Sequence, residues 1–337
     1  MNLKGLGKVL VTGGTGFVGS YLVKRLIEEG LDVRVMDNNL RGDLSRLDGL
    51  KDKFEFIEAD ICDYADTLAA TRGMDTVFHL AFINGTKNFY ENPDKVLGVG
   101  VKGAINTLDA AMELGVKNYA VTSSSEVYQE PTHIPTTEDE RIIIPDIMNP
   151  RYSYSGGKII TELLALHYTK SSNMKVVILR PHNFYGANMG YGHVIPHFAM
   201  KMRAASNGGD VKEIDFPIQG TGEEERSFCH IDDAVDGMLI GTILGESNNI
   251  YHIGTEEILS IRDLAHLVAD SMGLKINLIP TALMEGGTPK RCPSIAKIGK
   301  LGYKPKISLR EGVASTVAWY ASQGDTTALQ QKDGILK

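Results

Sequence analysis

"KVLVTGGTGFVGSYLVKRLIEEG", Lys8 to Gly30, is the stretch that decides the fold. Its start, "KVLVTGG", is a short apolar run stopped by glycine, the pattern of a strand buried on both faces of a parallel sheet. The remainder sets Phe17, Val18, Tyr21, Leu22, Leu26 and Ile27 at helical spacing, with Gly30 placed to cap the helix. Gly13-x-x-Gly16-x-x-Gly19 joins the two, and Gly14-x-Gly16-x-x-Gly19 reads as a second overlapping pattern. Glycines there allow a tight turn and leave backbone N–H groups at a helix N-terminus free to face a pyrophosphate. The strand–turn–helix therefore predicts a dinucleotide site.

Working outward, "LDVRVMD", "FEFIEAD", "DTVFHLA", "KNYAVTS" and "KVVILRP" read as further strands, and helical stretches such as "VKGAINTLDAAMELG" separate most of them. This alternation predicts an α/β fold, a Rossmann-type doubly wound parallel sheet, over residues 1–181. Beyond Pro181 the rhythm changes, and residues 182–337 are expected to form mainly a smaller α/β substrate lobe. Part of that stretch, about 226–254, is expected to return to the sheet. Ligands of open α/β sheets bind outside the carboxyl ends of the strands, so the cleft is expected there.

Bulk properties exclude some classes. A net charge of −7 over 337 residues argues against nucleic-acid binding. Cys62, Cys229 and Cys292 suggest free thiols, neither a disulfide framework nor a metal site. The N-terminus lacks a signal-peptide pattern and no apolar run has the length of a membrane span, so a cytoplasmic protein without a membrane partner is expected.

Asp37 ends the second strand, where a carboxylate accepts hydrogen bonds from the adenosine ribose and repels a 2′-phosphate, which selects NAD over NADP. Asp60, in "EADI", is placed to reach the adenine. Tyr154 and Lys158, four apart, share one helix face. A tyrosine is a poor base at neutral pH unless cations stabilise its phenolate, and a lysine one turn away supplies one. Gly156 and Gly157 each cost roughly 1 kcal/mol inside a helix, which suggests a close approach there. His79, His182 and His193 have no metal-like spacing; His79 reads as a packed strand-end residue.

The glycine loop, the Ser-rich strand end "VTSSSEVY", Tyr154-x-x-x-Lys158 and "RPHNFYG" together resemble the extended short-chain dehydrogenase/reductases. Within them the chain is similar to NAD-dependent nucleotide-sugar epimerases, dehydratases and decarboxylases, from Lys8 to about Tyr320. The resemblance implies NAD as cofactor, a nucleotide-diphosphate sugar as substrate and a homodimer. It places Gly13, Gly16, Phe17, Val18, Gly19, Asp37, Asp60, Ile61, Leu80 and Ala81 around the cofactor with Tyr154 and Lys158. It gives Ser124 the sugar O4, Asn183 the sugar-nucleotide diphosphate, and Arg226 and Arg291 the diphosphate and nucleotide; His193, in "YGHVIP", is placed to touch the sugar or nucleotide.

Ser125 and Glu126 match the pair that separates subclasses. Simple 4-epimerases usually carry uncharged residues there, whereas GDP-mannose-type dehydratases and UDP-glucuronate decarboxylases carry Ser-Glu with an arginine matching Arg151. A carboxylate can take the C5 proton from a 4-keto sugar, so a 4,6-dehydratase is the first expectation, narrowly ahead of a hexuronate decarboxylase, with 4- or 3,5-epimerisation open. A net oxidoreductase and a non-catalytic NAD-binding protein are the remaining rivals. Two departures stand out: Phe89 where a hydroxyl is common, and Gln129 after Tyr128 where glycine is usual.

Overall fold

The computed structural model describes residues 2–282 and 288–323. Its centre is a seven-stranded sheet built from β1 (Val9–Thr12), β2 (Val33–Asp37), β3 (Glu55–Glu58), β4 (Thr76–His79), β5 (Asn118–Thr122), β6 (Lys175–Pro181) and the strand Asn249–Ile253. The order across the sheet is Asn249–Ile253, β6, β5, β4, β1, β2, β3, and every neighbouring pair is parallel. Period-two alternation within the continuous apolar strands feeds two cores. Val9, Val11, Val33 and Val35 face one side with Leu22 and Leu26, while Leu10, Met36, Val77 and Tyr119 face the other with Leu108.

Helix α1 (Phe17–Glu28) and the helix Ile231–Leu244 pack together on the first face. On the second lie α2 (Tyr64–Thr71), α4 (Pro93–Glu113) and α5 (Ser153–Leu163), α3 (Thr86–Glu91) preceding α4. The C-terminal portion thus contributes both a covering helix and an edge strand to the sheet.

A separate core holds Phe198, Met202, Phe216, Leu264 and Val313. Around it lie the parallel pair Glu213–Gln219 and Lys275–Thr281 and the helices Val194–Ala205, Ile261–Ser271 and Leu309–Ser322. A small sheet sets the strand Glu225–Ser227 beside Ile258–Ser260 and, in parallel, beside Lys290–Arg291, with Arg226 directly opposite Arg291. Because β1, β2, β4, β5 and β6 run the same way, the loops after Thr12, Asp37, His79, Thr122 and Pro181 gather at one sheet edge.

Candidate active site

At the glycine loop the backbone leaves no room for side chains. A Cβ on Gly13, whose φ is +73°, would stand 2.7 Å from the Ala81 nitrogen, and one on Gly19 would meet the Gly13 carbonyl at 2.2 Å. The loop therefore presses on Leu80 and Ala81 at the end of β4. Gly16 caps α1 with no side-chain hydrogen bond, so the first N–H groups of that helix face the loop. The Asp37 carboxylate accepts from the Thr15 and Asn39 N–H groups at 3.0 and 2.9 Å. Asp60 accepts from Cys62 N–H at 2.8 Å and from the Asn38 amide at 3.3 Å. Arg41 donates to the Asn84 carbonyl, and Arg46 donates to the Thr15 carbonyl at 3.0 Å. Phe17 and Val18 open α1, and Ile61 is buried against Gly103 of α4. A cradle lined by glycine and backbone, next to a strand-end carboxylate, suits a dinucleotide.

Tyr154 and Lys158 are both buried on α5. Lys158 Nζ donates to the Thr122 carbonyl at 2.7 Å and sits 4.0 Å from the Phe82 ring centroid. Burial pulls its ammonium down to about 7, opposed by Glu162. Tyr154 stacks on Phe89 at 4.8 Å and meets Phe82 edge-on at 5.3 Å. Burial pushes its phenol up to about 12, with Glu126 adding to the effect and a hydrogen bond to Ser124 and the charge of Arg41 opposing it. At neutral pH Tyr154 holds its proton unless more positive charge arrives. Phe89 thus walls off the tyrosine. The close approach expected at the α5 glycines comes from Phe82: a Cβ would meet its ring at 3.0 Å from Gly157 and 2.2 Å from Gly100, whereas Gly156 has only Ile144 at 3.6 Å.

Ser124 caps the short turn Ser125–Val127, its Oγ accepting the Glu126 N–H at 3.1 Å. That turn delivers the Glu126 carboxylate to Arg291. One guanidinium nitrogen makes a short contact to Oε1, and the other lies 3.4 Å from Oε2. Burial alone would raise the Glu126 carboxyl, but Arg291, Arg151 and Arg226 outweigh it and hold it below the usual carboxylate range. Arg226 donates to the carbonyls of Thr288, Glu225 and Pro289 at 2.6, 2.8 and 3.2 Å. Burial and the neighbouring Arg291 lower it to about 10. Three guanidiniums against Glu126 and, beside Arg226, Glu224 leave this spot positive, in a chain whose net charge is −7.

The usual glycine after Tyr128 has its explanation here. Gln129 has φ +53°, the left-handed region that favours glycine. In this chain its side chain donates to the Glu126 carbonyl at 2.6 Å, and its own carbonyl accepts from Thr288 Oγ1 at 3.0 Å. Thr288 Oγ1 in turn accepts from Arg291 at 2.9 Å. Beneath the site, buried Arg180 meets Glu162 through two bonds of 2.6 and 2.8 Å and also reaches Tyr128. Tyr128 is bonded to His252 at 2.6 Å. Sequence reading missed this network, although a lone arginine in the apolar strand "KVVILRP" was a signal.

Asn183, at φ +43°, donates to the Ser227 carbonyl at 2.8 Å, and His193 sits at the start of the helix Val194–Ala205. His79 is buried in β4, its Nδ1 2.9 Å from Thr12 Oγ1. The three cysteines are free. Among the described residues no cluster of His, Cys, Asp and Glu could hold a metal ion, and no helix is long and apolar enough to cross a membrane.

The model of the NAD dependent epimerase/dehydratase family matches residues 9–254. The chain belongs to that family. It is 30% identical to a putative UDP-glucose 4-epimerase of Methanocaldococcus jannaschii over 94% of this chain and 100% of that protein. It is also 30% identical to the UDP-N-acetyl-alpha-D-glucosaminuronate decarboxylase of Bacillus cytotoxicus, over 93% and 97%. Among solved structures, a double mutant of the dTDP-glucose 4,6-dehydratase of Streptomyces venezuelae with NAD bound superposes with a TM-score of 0.82 at 26% identity, covering 93% of this chain and 97% of that one. This family member is an NAD-dependent enzyme of nucleotide-sugar chemistry. The matched relatives carry three different reactions.

Proposed function

We propose that the enzyme decarboxylates a nucleoside-diphosphate hexuronate through a 4-keto intermediate. The observation that carries this reading is the Glu126–Arg291 pair. A carboxylate held anionic by three arginines is a weak base for C5, which turns the first expectation, dehydration, into the less favoured reading. The same excess of positive charge suits a sugar that brings a carboxylate of its own beside its diphosphate. The Bacillus relative, named as a hexuronate decarboxylase, supports the same reading.

The residues then divide the work as follows. Gly13, Gly16, Gly19 and Asp37 hold the dinucleotide, and the cofactor supplies the hydride acceptor and donor for C4 together with a positive charge that favours the Tyr154 phenolate. Tyr154 takes the O4 proton, with Ser124 hydrogen-bonding the same oxygen and Lys158 stabilising the phenolate. The 4-keto hexuronate is a β-keto acid. Its C5–C6 bond breaks, CO2 leaves and the electron pair moves onto the C4 ketone as an enolate. Tyr154 and Ser124 stabilise that oxyanion. A proton from solvent water then adds at C5, and Tyr154 returns its proton to O4 as C4 is reduced. Arg291 holds Glu126, Arg226 and Arg151 supply positive charge for the substrate's anionic groups, and Asn183 and His193 line the nucleotide-sugar side.

Mass spectrometry of products from a panel of nucleotide sugars tests this. A hexuronate product lighter by CO2 is the expected result. A product lighter by water, or an isomer of unchanged mass, would replace it with dehydration or epimerisation. Epimerisation at C4 is the second reading, favoured by the full-length match to the Methanocaldococcus relative. A homodimer goes with this reading. Leu97 on α4 and Ile160 and Leu163 on α5 leave an apolar face exposed, which a second copy would cover.

A further inference from the structure

His182 follows β6 and is fully enclosed, 3% exposed, with its backbone N–H bonded to the Ile253 carbonyl at 2.9 Å. Its ring packs edge-on against His252 at 4.7 Å. Neither ring nitrogen has a hydrogen-bond partner among the described residues. Burying a ring with two unsatisfied polar atoms is costly, since each unmet donor or acceptor loses its hydration without return. An aromatic hydrocarbon would fill the same space without that penalty.

A second orphan belongs to another residue that lines the same small cavity as His182. Ser125, Tyr128, His182, Arg291 and Cys292 line it, and it has room for about one water molecule. The Arg291 Nε–H is buried and also has no partner among the described residues, although the two other guanidinium nitrogens hold Glu126 and Thr288. The two residues that carry these orphaned nitrogens, Arg291 and His182, thus line one water-sized space beside the Glu126–Arg291 pair. Neutral imidazole offers one acceptor and one donor. Burial and the nearby charges of Arg291 and Arg180 keep this ring neutral.

We infer that His182 is a positioning residue that fixes Arg291 through one bound water, which accepts from Arg291 Nε–H and donates to the imidazole. Arg291 then has all three guanidinium nitrogens engaged: Nη1 on Glu126, Nη2 on Glu126 and Thr288, and Nε on the water. A guanidinium fixed on three sides cannot swing toward the adjacent Arg226 side or release Glu126. The inference rests on the proposed role of the Glu126–Arg291 pair in turnover, but the link itself can be read without substrate.

The test compares His182→Phe, which keeps the ring and removes both nitrogens, with His182→Gln, whose amide offers a donor and an acceptor. The first measurement is hydrogen exchange of the Arg291 Nε–H by ¹⁵N NMR on the NAD-loaded enzyme, assigned by its loss in Arg291→Lys. Exchange should be slow in the parent and in His182→Gln and at least roughly tenfold faster in His182→Phe. The second is kcat/KM on the nucleotide sugar that the parent turns over. It should fall roughly ten- to a hundredfold in His182→Phe and stay within about threefold in His182→Gln. Parent-like exchange in His182→Phe overturns the inference. Equal losses in both variants do so too, because they mean that the ring acts by packing. If no hexuronate is decarboxylated, the proposed reaction falls, and the exchange rates alone still decide whether His182 holds Arg291.

Discussion

Glu126→Gln tests the ion pair and the reaction together. The pair is only partly open to water, with side-chain exposures of 11% for Arg291 and 27% for Glu126. At the 3.4 Å of its longer arm, two unit charges attract by about 5 kcal/mol at an effective dielectric of about 20. Desolvation and solvent access reduce the net coupling to about 1–3 kcal/mol. The amide keeps the shape but leaves Arg291 beside Arg226 and Arg151 without its bonded anion. At about 2 °C per kcal/mol for a chain of this size, the variant should melt about 2–6 °C below the parent. The double variant Glu126→Gln/Arg291→Met should recover at least half of that loss, because removing both partners leaves no orphaned charge. The gap also has a pH signature. Glu126 is held below its unfolded value of about 4.3, so its contribution is complete above that pH and disappears as pH falls through the lower folded value.

The chemical half of the test uses a hexuronate substrate with deuterium at C5. If Glu126 grips Arg291 and does not abstract the C5 proton, the parent should retain the label while CO2 is lost, and Glu126→Gln should turn over more slowly with the label still retained. Label washed into solvent by the parent but retained in Glu126→Gln would refute the argument and make Glu126 the base. An unchanged melting temperature in Glu126→Gln would separately refute the energetic part.

Three further variants probe other parts of the site. Asp37→Ala should narrow the preference for NAD over NADP by about tenfold, equivalent to about 1.4 kcal/mol; calorimetric titration of both dinucleotides checks it, and tighter NADP binding to the parent would contradict it. Gln129→Gly should melt within about 2 °C of the parent, since relief of the left-handed backbone offsets the lost bond to the Glu126 carbonyl, whereas Gln129→Ala keeps the strain and should be about 1 kcal/mol less stable. Calorimetry of the two variants distinguishes them, and equal melting points would mean that the backbone at 129 carries no strain. Glu162→Gln should be the most destabilising of these changes, by about 3–5 kcal/mol, because it strands the buried Arg180 charge; chemical denaturation measures it, and a loss under about 1 kcal/mol would show that the pair is solvated.

The sheet and the cofactor loop were legible because their signals are local. A strand buried on both faces is a continuous apolar run, and a glycine loop is written in consecutive residues. The placing of Tyr154 and Lys158 on one helix was legible for the same reason, since four residues on a helix is one turn. The environment of Tyr154 was not. Phe89 looked like a departure at a position where a hydroxyl is common, and it proves to be the ring on which the tyrosine stacks. Nothing in "NFYENP" says which way that ring will face.

The limit is clearest at Glu126. From the sequence it is a carboxylate near the tyrosine proposed to move the O4 proton, and a carboxylate there reads as a base. Arg291 stands 165 residues away in the chain and reads as a phosphate clamp. The small sheet fixes Lys290–Arg291 beside Glu225–Ser227, and the Thr288–Gln129 bond and the Thr136–Pro293 bridge draw that segment against the turn that carries Glu126. The encounter changes the chemistry of both groups: the carboxylate loses proton affinity and the guanidinium loses freedom to follow a phosphate. A base and a clamp read separately favour dehydration, whereas the same two residues read as one bonded pair favour loss of CO2, a step that needs an electron sink at C4 and no base at C5.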